Sequence, residues 1–404
     1  MRRLAILAVL LLSRSAIADD MDAPDPDEER TASKAFELDT TYFSLRLGGG
    51  VLIDYATYAQ DLASKEQMFL NPESGIRDLR GLASGRLIFE QLRYTVGLAF
   101  IQSSNEWRFR QTGFIVRIPE LEGFLFIGRT KEGASTNKFM VGYYGWFNER
   151  SAANDAFYPI LADGARWLGV GLGGKLVYNV GAFADPVSEK ESFNKNDWAL
   201  VGRAVWLPFT PVEGHVLHLA ASFRYAGADD GFLTYRSKPE SFLAQSQAVD
   251  TGAFPASRST TVGVEAYYVR GPFAFGSEYY FNKNVSEPTN NPFFHGGEAF
   301  VSYLFTGETH PYKNDGGFFD DVVPNKSVFD EGPGAIELAV RGTYVDLDSR
   351  GVQGGKFFRA TAILNWYMTE ALRLEGVVGY GRLDRFGLEG NTYFLQTRIQ
   401  IQFK

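Results

Sequence analysis

YFLQTRIQIQFK, residues 393 to 404, alternates from end to end. Tyr393, Leu395, Thr397, Ile399, Ile401 and Phe403 share one parity and are mostly apolar, while Gln396, Arg398, Gln400 and Gln402 occupy the other. Successive side chains of a strand point to opposite faces, so one face here is apolar and the other carries glutamine and arginine. A soluble sandwich would turn the polar face to water and the apolar face into a core. A membrane barrel reverses this, with the apolar face on lipid and the polar face on a lumen. The segment alone leaves both open.

The other end narrows the choice. MRRLAILAVLLLSRSAIADD opens with Arg2 and Arg3, runs apolar from Leu4 to Leu12, and places Ala16 and Ala18 before Asp19. That is the layout of a secretory signal peptide over residues 1–18, since the apolar run falls far short of the roughly 20 residues that span a bilayer as a helix. No later run is of that kind. The absence of cysteine excludes disulfides and thiolate metal sites.

Composition suits alternating strands. There are 43 glycines and 60 aromatics among 404 residues. Removing residues 1–18 takes away three arginines and leaves 37 basic against 48 acidic residues, a charge of −11. The segment DDMDAPDPDEERTASK, 19–34, supplies seven of the acids and two of the bases and is expected to be a disordered leader. The barrel unit then covers 35–404.

Period-two segments bounded by turn residues predict strands over 42–55, 79–89, 92–102, 107–117, 124–131, 166–174, 176–184, 197–207, 215–226, 260–269, 273–282, 294–305, 334–345, 357–367, 371–381 and 393–403. That makes sixteen. Short connections at 90–91, 118–123, 175, 208–214, 270–272 and 368–370 alternate with longer ones, notably 56–78, 132–165 and 227–259. This asymmetry is that of bacterial barrels, with short periplasmic turns and long outer loops. The stretch 306–333 falls on the short side yet is long: it hides a strand pair or has a task of its own.

The strand faces decide between sandwich and barrel. Leu217, Leu219, Ala221, Phe223 and Tyr225 oppose His218, Ser222 and Arg224, and Phe358, Ala360, Ala362, Leu364 and Trp366 oppose Arg359, Thr361 and Asn365. Sixteen such strands in a sandwich would leave no reason for so many inner partners to be charged. Closed into a barrel, they enclose an aqueous channel. The fold class is therefore all-β, a transmembrane antiparallel barrel of about sixteen strands.

Several segments resemble the phosphate-selective porin O and P family of outer-membrane proteins: WFNERSAAND (146–155), VLHLAASFRY (216–225), YRSKPES (235–241), DTGAF (250–254), VEAYYVRGPFAFGSEYY (264–280), YLFTGETHPY (303–312) and the stretch from Gly334 to Gly381. The resemblance implies a sixteen-stranded, usually trimeric porin in the outer membrane, narrowed by inward loops, in which arginines and lysines pass anions such as phosphate. It also implies a long periplasmic turn folded into the lumen, which would account for 306–333, and insertion by barrel-assembly machinery that reads a terminal aromatic, here Phe403. Strongly phosphate-selective members carry a dense arginine cluster early in the second strand. In IRDLRGLASGRL, 76–87, Arg77, Arg80 and Arg86 are instead spaced by Asp78 and apolar residues.

Expected pore-lining residues are Arg46, Arg80, Arg86, Arg129, Lys131, Arg150 and Arg203. Arg224, Arg341, Arg359, Arg373 and Arg398 also fall on polar faces. Planar guanidinium forks donate paired bonds to oxyanions, and a chain of weak sites lets ions in without trapping them. The competing reading pairs these arginines with lumen acids such as Glu337 and Glu375, stiffening the wall. The loop 132–165 is the natural constriction, the alternative being an exposed outer loop.

No catalytic pattern stands out. GVGLGG, 169–174, fits G-x-G-x-x-G but is followed by a strand rather than the helix a dinucleotide site needs. His215 and His218 fall on opposite strand faces and cannot share a metal. Neither cofactor nor nucleic-acid binding is expected. A general porin, a barrel enzyme and an adhesive barrel remain the other classes.

Overall fold

The computed structural model describes residues 37–102, 105–186, 196–209 and 211–403. The expected signal peptide and acidic leader lie outside the described residues. Sixteen strands make the wall: β1 (Ser44–Gln60), β2 (Glu73–Leu87), β3 (Phe89–Ile101), β4 (Glu106–Ile118), β5 (Gly123–Thr130), β6 (Ala162–Gly171), β7 (Leu176–Pro186), β8 (Asn196–Trp206), β9 (His215–Ala228), β10 (Arg258–Arg270), β11 (Phe273–Val285), β12 (Phe293–Leu304), β13 (Ala335–Ser349), β14 (Val352–Tyr367), β15 (Leu372–Arg385) and β16 (Leu388–Phe403). Each pairs antiparallel with its sequence neighbours, and β1 pairs with both β2 and β16, which closes the cylinder. A short strand, Glu37–Asp39, adds to the start of β1.

All sixteen expected strands are present. Several are longer than the alternation predicted: β1 reaches Gln60, β2 begins at Glu73 and β6 begins at Ala162. The ladder continues there, with Gln60 opposite Thr392. Near the rim both strand faces meet water or loops, so the apolar-polar contrast fades while backbone pairing goes on.

The polarity of the wall answers the question raised by the last strand. Tyr393, Leu395, Ile399, Ile401 and Phe403 are 38–62 % exposed, whereas Gln396, Arg398, Gln400 and Gln402 are at most 4 % exposed. The apolar parity faces outward and the polar parity is buried inside, the inverse of a soluble protein.

Three segments fold into the barrel. The loop 131–161 carries α1 (Thr136–Phe139) and α2 (Ala152–Phe157), each started by a serine whose side chain accepts a backbone N–H, from Lys138 for Ser135 and from Asn154 for Ser151. The loop 229–257 is braced by two-residue ladders, Phe232–Leu233 with Phe254–Pro255 and Arg236–Ser237 with Val249–Asp250. From the opposite end comes the turn 305–334, where Tyr312–Lys313 pairs with Phe318–Phe319. Of the two alternatives for this turn the first holds: it contains a strand pair, which packs inside the lumen. Phe318 packs edge-on against Phe139 at 5.4 Å and Phe319 against Trp146 at 5.1 Å, so turn and loop interlock.

The segment GVGLGG ends β6 and enters the hairpin connection 172–175. Leu172, Gly173 and Gly174 have φ of 54°, 64° and 85°, a run of left-handed conformations that glycine adopts without a Cβ clash.

Candidate functional site: the lumen cavity

Between the β1–β4 wall and the inward loops lies a cavity of about 540 Å³. Arg77, Arg80 and Arg110 reach it from β2 and β4, Lys131 and Arg150 from the first inward loop, Lys238 from the second, and Arg341 and Arg398 from β13 and β16. Six carboxylates also line it: Glu73, Asp78, Glu149, Asp155, Glu240 and Glu298. The lining thus holds eight cations against six anions in a chain whose overall charge is −8.

Local strand irregularities aim two of these cations. Leu52 opposes Asp78 and Ile53 opposes Ile76, so Arg77 is an extra residue in a bulge that brings it to the cavity wall beside Asp78. A second irregularity pairs Val96 with Thr112 but Leu98 with Phe109, and Arg110 and Gln111 both line the cavity. Strict alternation had no place for Arg77, which shares the parity of Leu79 and Ala83. Lys238 was missed because it lies in a loop, where period two says nothing.

The expected lining residues separate into four groups. Arg80, Lys131 and Arg150 line the cavity. Arg80 pairs with Asp78 and stacks on Tyr143 at 4.4 Å. Lys131 donates to the carbonyls of Phe139 and Met140, both at 3.2 Å. Arg150 donates to the carbonyls of Asn137 at 3.0 Å and Met140 at 3.3 Å. Arg46 and Arg86 stand instead at the turn end, bound to Glu37 at 3.4 Å and to Asp39 at 2.7 Å, where they hold the short leading strand. Arg129 opposes Thr112 on the outward parity it shares with exposed Ile127, and forms a two-bond pair with Asp163 at 2.9 and 3.0 Å. Arg203 is buried away from the cavity, bonded to Glu265 at 2.9 Å, to Thr136 and to the carbonyl of Gly317 at 3.3 Å, which ties loop and turn to the wall.

Most other inward arginines also clamp loops. Arg224 holds Glu132 of the first loop at 2.6 and 2.9 Å. Arg341 bridges Glu240 of the second loop at 2.8 Å and Glu298 of β12 at 3.0 Å. Arg373 donates to the carbonyls of Tyr143 and Gly145 and pairs with Glu375 at 3.1 Å. Glu337 serves another purpose: it accepts from His310 of the turn at 2.6 Å, and from Asn365 and Tyr367. The first loop is further fixed by carboxylates that receive its backbone N–H groups, Glu265 from Thr136 at 3.2 Å and Glu278 from Asn137 at 2.7 Å.

Loop charges respond to this setting. Burial pushes the Glu149 carboxyl up, but Arg77 and Arg398 outweigh it and hold the pKa at about 2. Burial lowers the Arg150 pKa, partly countered by Asp155. In the turn, burial raises Asp315 to about 6 against its backbone hydrogen bonds and Lys313. The cavity is therefore lined by charges of both signs. Among the described residues no cluster of three or more metal-ligating side chains is present.

Comparison with known proteins fits this geometry. A protein from Caulobacter vibrioides without an assigned function is 33% identical over 257 residues, 60% of this chain and 50% of that protein. Porin O of Pseudomonas aeruginosa is 25% identical over 237 residues, 50% of this chain and 52% of its own length. The chain thus spans about half the length of the curated relatives it matches. An anion-selective porin from Comamonas acidovorans shares the fold with a TM-score of 0.55 at 12% identity, over 89% of this chain and all of that one. The family model described as Phosphate-selective porin O and P matches residues 103–403. With a closed sixteen-strand wall, an outward apolar surface and a charged lumen, this chain is a member of that family of outer-membrane porins.

Proposed function

We propose that the protein gives passive, anion-preferring diffusion across the outer membrane, with small oxyanions of the phosphate type among its solutes. The observation that carries this is the excess of cations around the lumen cavity of an acidic chain. Arg150 adds to it, because its bonds go to neutral carbonyl oxygens that leave its charge in place. In a narrow channel with low-dielectric walls, local charge sets the potential that an ion meets, and distant surface charge is screened within about 8 Å at physiological ionic strength. The short-turn end faces the periplasm, the long loops face outward, and three copies assemble as the family resemblance implies.

The test is the reversal potential of the reconstituted channel in a potassium chloride gradient. Chloride preference is expected, weakened in Arg80→Gln and in Arg150→Gln. A cation-selective wild-type channel overturns the proposal. A reversal potential near zero favours a general porin, for which the six lining carboxylates speak.

A further inference from the structure

Resting on the reading as a diffusion channel, but not on its anion preference, we propose that the side chain of Tyr143 in the first inward loop sets the size limit of the pore. Arg80, Arg110, Gln111, Val141 and Tyr143 line the large cavity and also border a second space of only about 30 Å³. That space adds Leu82 and Gly97, which pair with each other further along β2 and β3 towards their short connection. On passing Arg80 and Tyr143 the lumen thus shrinks from about 540 Å³ to room for about two water molecules.

The backbone of Tyr143 is fixed on the far side. Its carbonyl accepts from Arg373 of β15 at 3.1 Å and from Gln400 of β16 at 3.3 Å, and the carbonyl of Gly145 accepts from Arg373 at 3.1 Å. From this anchor the ring reaches past β1 to β2, where it lies 4.4 Å from the Arg80 guanidinium. Arg80 is itself held by Asp78, with Nε donating at 3.1 Å. Gly50 of β1, opposite Arg80, makes room for the ring: a Cβ there would stand 3.0 and 3.2 Å from two ring atoms. The ring is 2% exposed and packs with Leu52, Val141 and Tyr144.

The other half of the lumen is filled. Trp146 packs against Tyr267 of β10 at 6.0 Å, Phe300 of β12 at 4.7 Å and Phe319 of the turn at 5.1 Å. A solute that moves along the β1–β4 wall therefore meets the Tyr143 ring, and its passage requires that ring to turn aside. With the backbone clamped, one side chain is the movable part. Pore diameter at such a constriction decides which solutes pass.

Swelling of proteoliposomes in arabinose, maltose and raffinose tests this, because neutral sugars do not sense the lumen charges. Tyr143→Ala is expected to raise the maltose-to-arabinose rate ratio, and with it the single-channel conductance in potassium chloride, at least about twofold. Tyr143→Phe keeps the ring and should match wild type. The carbonyl held by Arg373 and Gln400 is untouched in both variants, so the loop 131–161 should stay as protease-resistant as in wild type. A sugar ratio unmoved by Tyr143→Ala overturns the inference, and so does a Tyr143→Phe channel as open as Tyr143→Ala. A rise that comes with cleavage inside 131–161 also overturns it, since the opening would then follow from loss of the loop rather than of the ring. A wild-type protein that forms no channel would instead overturn the diffusion reading beneath it, so the two failures are told apart.

Discussion

Arg398 leaves the last strand on the polar parity and ends between two carboxylates, Asp54 of β1 at 2.7 Å and Glu149 of the first inward loop at 2.6 Å. Its parity was legible from the alternation; its partners were not. Removing one member of such a buried set strands the others without compensation. Arg398→Ala is therefore expected to lower stability by about 3–5 kcal/mol, measured by chemical unfolding in detergent. Glu149 adds a pH dependence: its folded pKa of about 2 lies below the ordinary 4.5, so its contribution is complete above pH 4.5 and is lost as the pH falls towards 2. Proteolysis of the loop 131–161 should stay slow from pH 7 to about 4.5 and quicken below it. Arg80 and Arg86 share a parity and looked equivalent in the sequence. Their partners, Asp78 on the cavity and Asp39 on the leading strand, make them different. Arg86→Gln should leave the reversal potential unchanged, whereas Arg80→Gln should shift it towards zero.

Among the elements, the turn 305–334 departs most from its place in the sequence pattern. Its length marked it as unusual, but its docking depends on Phe318 and Phe319 meeting Phe139 and Trp146 from the far end of the barrel. Shortening it by residues 312–321 should raise single-channel conductance, and an unchanged conductance would show that the ions bypass it. Asp315 in this turn runs opposite to Glu149. Its folded pKa of about 6 lies above the ordinary 3.8, so the turn is favoured with Asp315 protonated, and that stability is lost as the pH rises through 6. Asp315→Asn should remove this dependence, seen as a turn equally resistant to protease at pH 4.5 and pH 7.5.

For the whole molecule, outward apolar rows and closure of β1 on β16 define one cylinder in lipid. Phe403 stands on the outward face, 55% exposed, at the end of β16. Phe403→Asp sets a charge on the lipid-facing side and removes the terminal aromatic, so the yield of protein in the outer membrane should fall. A yield equal to wild type would remove Phe403 from the assembly signal. Tags in the loop 229–257 should be accessible on intact cells, and tags in the connection Gly271–Pro272 should not.

Strand number, strand faces and barrel class were all legible because period two is a local property, and sixteen repeats of it admit few closed solutions. The same property explains what was hidden. Alternation tells which side of the wall a residue takes, and a single bulge, as at Arg77, overrides it. Beyond the wall, partners are chosen by chain that returns from far away: Arg398 and Glu149 are 249 residues apart, and Arg224 and Glu132 are 92 apart. Loops carry no period, so their inward course follows from packing and paired charges inside a closed cylinder. That is why the inward arginines could be named from the sequence, while only the folded barrel separates those that line the cavity from those that hold its loops.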